Sequence, residues 1–125
     1  MTSALVTGAT GFLGRHLCRE LVAGDWTVTA ACRGSSDRTP LEDVDVSWAV
    51  ADVLDAASVR DAVEGHEYVF HLAGLGLLDA ASDRVRRVNR EGTRNVVDAV
   101  EAGGVERLLF TSTAGTRWRA GAPAT

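Results

Sequence analysis

The sequence predicts a doubly wound α/β domain, a five-stranded parallel sheet in the order 3-2-1-4-5 with helices on both faces. Three observations carry this. Short, β-branched apolar runs alternate with helix-period segments along the 125 residues. A glycine-rich turn joins the first run to the first helix. The strand–helix order itself implies parallel neighbours joined by right-handed crossovers. A ligand crevice is then expected between strands 1 and 4, where the strand order reverses.

The elements follow in order. Residues 3–7 form a short continuous apolar run and read as a buried strand. Leu13, Leu17, Leu21 and Val22 recur at helical spacing, and Gly24 closes that helix. Residues 27–32 read as a second buried strand, and the polar stretch 33–37 as a loop. Residues 44–50 alternate and predict a third strand. A loop at 52–55 leads into a short helix over about 56–63 that stops at Gly65. Residues 68–72 predict the fourth strand, with Gly74 and Gly76 in the loop beyond it. A long helix is expected over about 82–102, with Val85, Val88, Val96, Val97 and Val100 as its stripe and Gly103-Gly104 as its stop. Residues 107–111 form the fifth strand, after which the sheet is truncated. This divides the chain into a folded unit over 1–113 and a loose tail over 114–125.

Composition narrows the function classes. A formal net charge of -4 argues against nucleic acid and against an anionic membrane surface. No apolar stretch is long enough to span a bilayer and no basic leader precedes the first strand, so the expectation is cytoplasmic. Cys18 and Cys32 have no metal-ligand spacing and read as reduced, buried thiols. His16, His66 and His71 likewise lack the spacing of a metal site or triad and read as surface or fold residues. All 13 basic residues are arginine; the chain has no lysine.

Residues 7–14, Thr-Gly-Ala-Thr-Gly-Phe-Leu-Gly, carry glycines at G-x-x-G-x-x-G spacing between a strand and a helix. A dinucleotide's pyrophosphate has to approach backbone N–H groups at a helix N-terminus. Gly8 would permit the tight turn, Gly11 the approach of phosphate, and Gly14 the close packing of helix on sheet. Arg33 stands where an acidic residue would hold a ribose 2′-hydroxyl. A guanidinium there suits a 2′-phosphate, with Ser35 and Arg38 as added contacts, or else is a solvated strand-end arginine.

The loop resembles the T-G-x-x-G-F-[LIV]-G fingerprint of the extended short-chain dehydrogenases/reductases, also called the NAD-dependent epimerase/dehydratase family. Later segments continue the resemblance in order. They are Asp52-Val53, then His71-Leu72-Ala73-Gly74, then residues 88–95 as V-N-x-x-G-T-x-N, and residues 110–114 as F-[ST]-S-[ST]-A. The nearest flavour is that of dihydroflavonol-reductase-like and sugar-epimerase-like proteins, of which this sequence is similar to the N-terminal part. The resemblance implies a Rossmann-type fold and a reductase, epimerase or dehydratase of a carbonyl or nucleotide-sugar substrate. It implies cofactor contacts from Gly8, Thr10, Gly11, Phe12, Leu13 and Gly14 in the loop. Further contacts are implied from Arg33, Asp52, Val53, Leu72, Ala73, Gly74, Asn89 and Thr111. With Arg33 in place of an acid, NADP is the expected cofactor, with NAD as the alternative. Thr113 aligns with the family's catalytic Ser/Thr.

Two of these positions have structural readings as well. Asp52 either accepts from the adenine amino group or caps its own loop near Asp55 and Ser58. Asn89 falls on the stripe of Val85, Gly92 and Val96, so it either braces backbone near strand four or five or reaches the nicotinamide. Family members place a Tyr-x-x-x-Lys pair well beyond the Ser/Thr. Here Tyr68 is the only tyrosine, inside strand four, and lysine is absent. The expectation is an N-terminal piece of a longer enzyme, which alone transfers no hydride at a normal rate. The alternative is a non-catalytic NAD(P)-binding sensor or binding module. Expected partners are the dinucleotide, a small-molecule substrate in the longer form, and a homodimer; no nucleic acid or membrane partner is expected.

Overall fold

The structure is a computed structural model that describes residues 2–73 and 83–111. Strand β1 (Ser3–Thr7) leads into helix α1 (Phe12–Ala23) and strand β2 (Thr27–Cys32). A 3-10 turn (Thr39–Leu41) precedes strand β3 (Ser47–Val50), helix α2 (Ala56–Val63) and strand β4 (Tyr68–His71). Helix α3 (Asp83–Arg86), a π-helical turn (Arg87–Gly92) and helix α4 (Thr93–Gly103) are continuous, and a short turn leads from them into strand β5 (Arg107–Phe110). The five strands are parallel in the order β3-β2-β1-β4-β5, as the sequence predicts.

Strand periodicity distributes the core over two layers, because successive side chains point to opposite faces. Ala4, Val6, Val28 and Ala30 face one way and meet Cys18 and Leu21 of α1, with Leu41 beside them. Leu5, Ala31 and Val69 face the other way and meet Val59, Ala62 and Val63 of α2 and Val96 and Ala99 of α4. β1 is therefore buried on both faces, which is why its sequence reads as a continuous apolar run rather than an alternating one.

Three strand boundaries and the middle of one helix depart from the sequence expectation; β5 ends at Phe110, one residue short of the expected Thr111. The third strand starts at Ser47, not at residue 44. Val44 N–H bonds the Leu41 carbonyl and Val46 N–H bonds the Val44 carbonyl, so these residues close turns instead of pairing with β2. Val44 and Val46 still pack on the core, so their alternation recorded burial and not strand pairing. β4 ends at His71, because the N–H groups of Leu72 and Ala73 both turn to the Thr7 hydroxyl. The long helix is present, but its middle is widened into a π turn. Its C-terminus closes on Gly104 in the left-handed region, φ 66°. The predicted tail over 114–125 lies outside the described residues. Among the described residues, no helix is long and apolar enough to cross a membrane.

Candidate functional site

A cavity of about 330 Å³ opens at the C-terminal ends of β1, β2 and β4, beside the point where the strand order reverses. The glycine loop forms one wall through Gly8, Thr10 and Gly11. Gly8 sits at φ +65°, and a Cβ there would come within 2.8 Å of the Ala73 backbone nitrogen. A Cβ on Gly14 would collide with the Gly8 carbonyl oxygen and come within 2.8 Å of Ala9 Cα. These two glycines let the loop, the helix and the end of β4 close on one another. Gly11 caps α1 with extended backbone and no side-chain hydrogen bond. The first N–H groups of α1 are thus left for solvent or a ligand. Arg15 holds the loop from behind, its Nη2 donating to the Thr10 carbonyl at 3.0 Å and its Nε to the Gly11 carbonyl at 3.2 Å.

Arg33 and Ser36 line the second wall. A turn closed by Ser36 N–H on the Arg33 carbonyl, 3.0 Å, brings Ser36 into the cavity where Ser35 was expected. Arg38 goes elsewhere: its guanidinium lies 4.8 Å over the Trp48 ring centroid. Leu5, Ala31, Val59 and Ala62 make an apolar floor, next to Asp52 and Val53. Asp52 is exposed, and its Oδ1 accepts the Leu54 N–H at 2.9 Å. Its backbone is tied to Ser58 Oγ, so the loop-capping arrangement is present. Asp55 caps α2 through the N–H groups of Ala57 and Ser58.

A buried polar seam joins the remaining wall to the π turn. The Thr7 hydroxyl accepts the N–H groups of Leu72 and Ala73, each at 3.1 Å, and lies 2.8 Å from His71 Nδ1. With both acceptor sites engaged, its single proton goes to Nδ1. Nε2 then carries the ring hydrogen and donates to Thr93 Oγ1 at 3.2 Å, which in turn donates to the Asn89 carbonyl at 2.7 Å. The ring stacks on Phe110 at 5.8 Å between centroids. Burial pulls the His71 pKa down to about 4. His71 is accordingly neutral, with its tautomer set by its neighbours.

The cavity gathers Gly8, Thr10, Gly11, Arg33, Asp52, Val53, Leu72 and Ala73 around one space. Phe12 and Leu13 are exposed on the first turn of α1, and Gly14 is buried behind the loop. Asn89 is exposed, not on the buried face: the buried positions Val85, Val88, Gly92 and Val96 pass beside it through the widened turn. Thr111 is exposed and bonds the His71 carbonyl through its N–H. Gly74 and Thr113 lie outside the described residues. Tyr68 stands at the opposite end of β4, paired in register with Ala4 and packed on Trp26. Besides the apolar floor and Ala51, the sequence reading missed Thr7, Cys32, Ser36, Arg84 and Val88 as lining residues. Thr7 carried a signal, a polar residue ending a buried strand; the others reach the cavity only through the tertiary fold.

The sequence profile of the NAD dependent epimerase/dehydratase family matches residues 4–117. The chain is 39% identical over 114 residues to sterol demethylase protein B of Methylococcus capsulatus, covering 90% of this chain and 35% of that one. It is 40% identical over 113 residues to L-arabinose 1-dehydrogenase (NAD(P)(+)) of Haloferax volcanii, covering 90% and 41%. Among solved structures, UDP-glucose 4-epimerase of Bifidobacterium longum, in complex with NAD+ and UDP, superposes with a TM-score of 0.79. That match is 25% identical and covers 90% of this chain and 37% of that one. The chain thus spans between about a third and two fifths of the length of the proteins it matches. With the fold, the glycine loop and the sequence match in agreement, the chain belongs to the NAD dependent epimerase/dehydratase family.

Proposed function

We propose that this chain is the NADP(H)-preferring, cofactor-binding part of a reductase, epimerase or dehydratase acting on a carbonyl or nucleotide-sugar substrate. One observation carries the reading. A cavity at the sheet's switch point is bounded by a helix N-terminus with no side-chain cap, an apolar floor and two arginines, Arg33 and Arg84. Those features fit a dinucleotide part by part. The glycine loop leaves no Cβ in the path of the pyrophosphate, and the α1 N–H groups face its charge. The floor of Leu5, Ala31, Val59 and Ala62 suits adenine, with Asp52 and the Val53 N–H at its polar edge. Arg33, with Ser36 beside it, suits a 2′-phosphate. Phe12, Leu13, Leu72, Ala73, Gly74, Asn89 and Thr111 complete the contacts.

A bound nicotinamide would supply the hydride chemistry. The chain's own contribution is to bind and orient. Thr113 would hydrogen-bond the reacting oxygen, since an unactivated hydroxyl cannot serve alone as a general base near neutral pH. Tyr68, at the far end of β4, is not positioned to act as the acid. The test is fluorescence titration of the chain with NADPH and NADH, then turnover of the longer protein on carbonyl and nucleotide-sugar substrates, wild type against Thr113→Ala. Equal affinity for the two cofactors would end the NADP(H) assignment. Turnover unaffected by Thr113→Ala would end the role of Thr113. Cofactor binding with no turnover of any substrate by the longer protein would instead favour the sensor reading.

A further inference from the structure

We propose that Asn95, assisted by Gly92, is a positioning residue for the adenine end of the cofactor, acting through the Val53–Leu54 peptide on the Asp52 carboxylate. The inference rests on the reading of Asp52 and Val53 as the adenine edge. Asn95 Nδ2 donates to the Val53 carbonyl at 2.7 Å, a contact across 42 residues of sequence. The other end of the same peptide plane, the Leu54 N–H, donates to Asp52 Oδ1 at 2.9 Å. A peptide unit is planar, so fixing its carbonyl fixes the direction of its N–H. The side-chain amide of α4 thereby sets where Asp52 Oδ1 is held and how the rest of that carboxylate is presented to the cavity.

Gly92 constrains the same residue from a second side. A Cβ at Gly92 would come within 2.7 Å of Val53 Cγ2 and 3.0 Å of Val53 Cβ, so the Val53 side chain rests on bare helix backbone. Val53 is held by its carbonyl and by its side chain at once, and both Asp52 and Val53 line the cavity. The widened turn ends at Gly92, so Gly92 and Asn95 face Val53 while Thr93, between them, bonds His71. One helix thus braces both ends of the cavity.

Hypoxanthine in place of adenine removes the exocyclic amino group that Asp52 would accept from, so the test compares NADPH with nicotinamide hypoxanthine dinucleotide phosphate, reduced. Wild type should bind the adenine form roughly tenfold more tightly, the ratio for one charge-assisted hydrogen bond. Asn95→Ala should bring that ratio to about two or less through weaker adenine-form binding, and Asn95→Gln, which keeps an amide donor, should restore part of it. A general loss of fold would weaken both forms alike and leave the ratio intact, and that result overturns the proposal. If Asn95→Ala does not fold, Gly92→Ala displaces Val53 without removing the amide and is judged by the same ratio. Asp52→Ala separates the two layers of the argument. A ratio lost in Asp52→Ala but kept in Asn95→Ala overturns the positioning role alone; a ratio unchanged in Asp52→Ala overturns the Asp52–adenine contact and the positioning role together.

Discussion

Two polar groupings border the same cavity and are built in opposite ways. The Thr7–His71–Thr93 seam is buried at Thr7 and His71 and half-buried at Thr93, and every hydroxyl and ring nitrogen in it has a partner at 2.7 to 3.2 Å. The rim formed by Arg33 and Asp52 is exposed, with Arg33 at the strand end and Asp52 held through one carboxylate oxygen. A buried polar group without a partner is costly, so the seam has a single workable arrangement and fixes backbone. An exposed charge loses little by waiting in water, so the rim can keep its strongest interaction for a ligand. The seam therefore fixes the loop geometry, and under the function proposed above the rim is the part that would set which nucleotide is preferred.

Four perturbations would break or sharpen that division. The largest effect is expected from Gly14→Ala, which strikes the loop that both groupings depend on. Its Cβ meets the Gly8 carbonyl and the Ala9 backbone, neither of which is a flexible side chain. Loss of about 3 kcal/mol in urea unfolding, the upper end for overpacking, is expected together with loss of measurable NADPH binding. An unchanged midpoint would mean that α1 can slide freely on the sheet.

Acid should act on the seam next. His71 has a folded-state pKa of about 4 against 6.5 unfolded, so the unfolded chain takes up the proton first. Its contribution is fully present above pH 6.5, declines as pH falls from 6.5 to about 4, and is gone below that. By pH 4 the loss amounts to about 3 kcal/mol. The carboxyls of Asp37 and Asp43 are both held below their ordinary 3.8 by side-chain hydrogen bonds, from Thr39 and Arg19 respectively, so their share is lost at lower pH. Urea unfolding from pH 7 to 4 should show the decline in wild type and a flatter profile in His71→Asn. Identical profiles would remove His71 from the account.

The rim should respond in selectivity and not in stability. Arg33→Ala should weaken NADPH roughly ten- to a hundredfold, the range for a charge-assisted contact, with NADH little changed. A parallel fall for both cofactors would place Arg33 in the structural class. The smallest effect is expected at Arg38, whose guanidinium covers Trp48. Arg38→Ala should cost about 0.5–1 kcal/mol of stability, typical of an exposed cation–π contact, and leave the NADPH/NADH ratio where it was. A changed ratio would restore Arg38 to the phosphate site.

Much of this was legible in the sequence. Continuous apolar runs placed the strands buried on both faces, and helical periodicity placed the helices, because each element must turn apolar residues to every face that it buries. The glycine spacing marked the loop, because backbone at φ +65° and atoms closer than a Cβ allows can be built in few other ways. Arg33 and Asp52 were legible because they end strands, and strand ends in a parallel sheet converge on the switch point. The tertiary structure decided the rest. Thr7, His71 and Thr93 lie 64 and 22 residues apart in steps, and nothing local in their sequence says that they meet. Asn89 is exposed although it shares a helical stripe with Val85, Gly92 and Val96, and Asn95 reaches the Val53 carbonyl across 42 residues, neither of which the helical period specifies. Periodicity reports which residues leave water; which polar partner each one finds depends on distances between segments, and those exist only once the chain is folded.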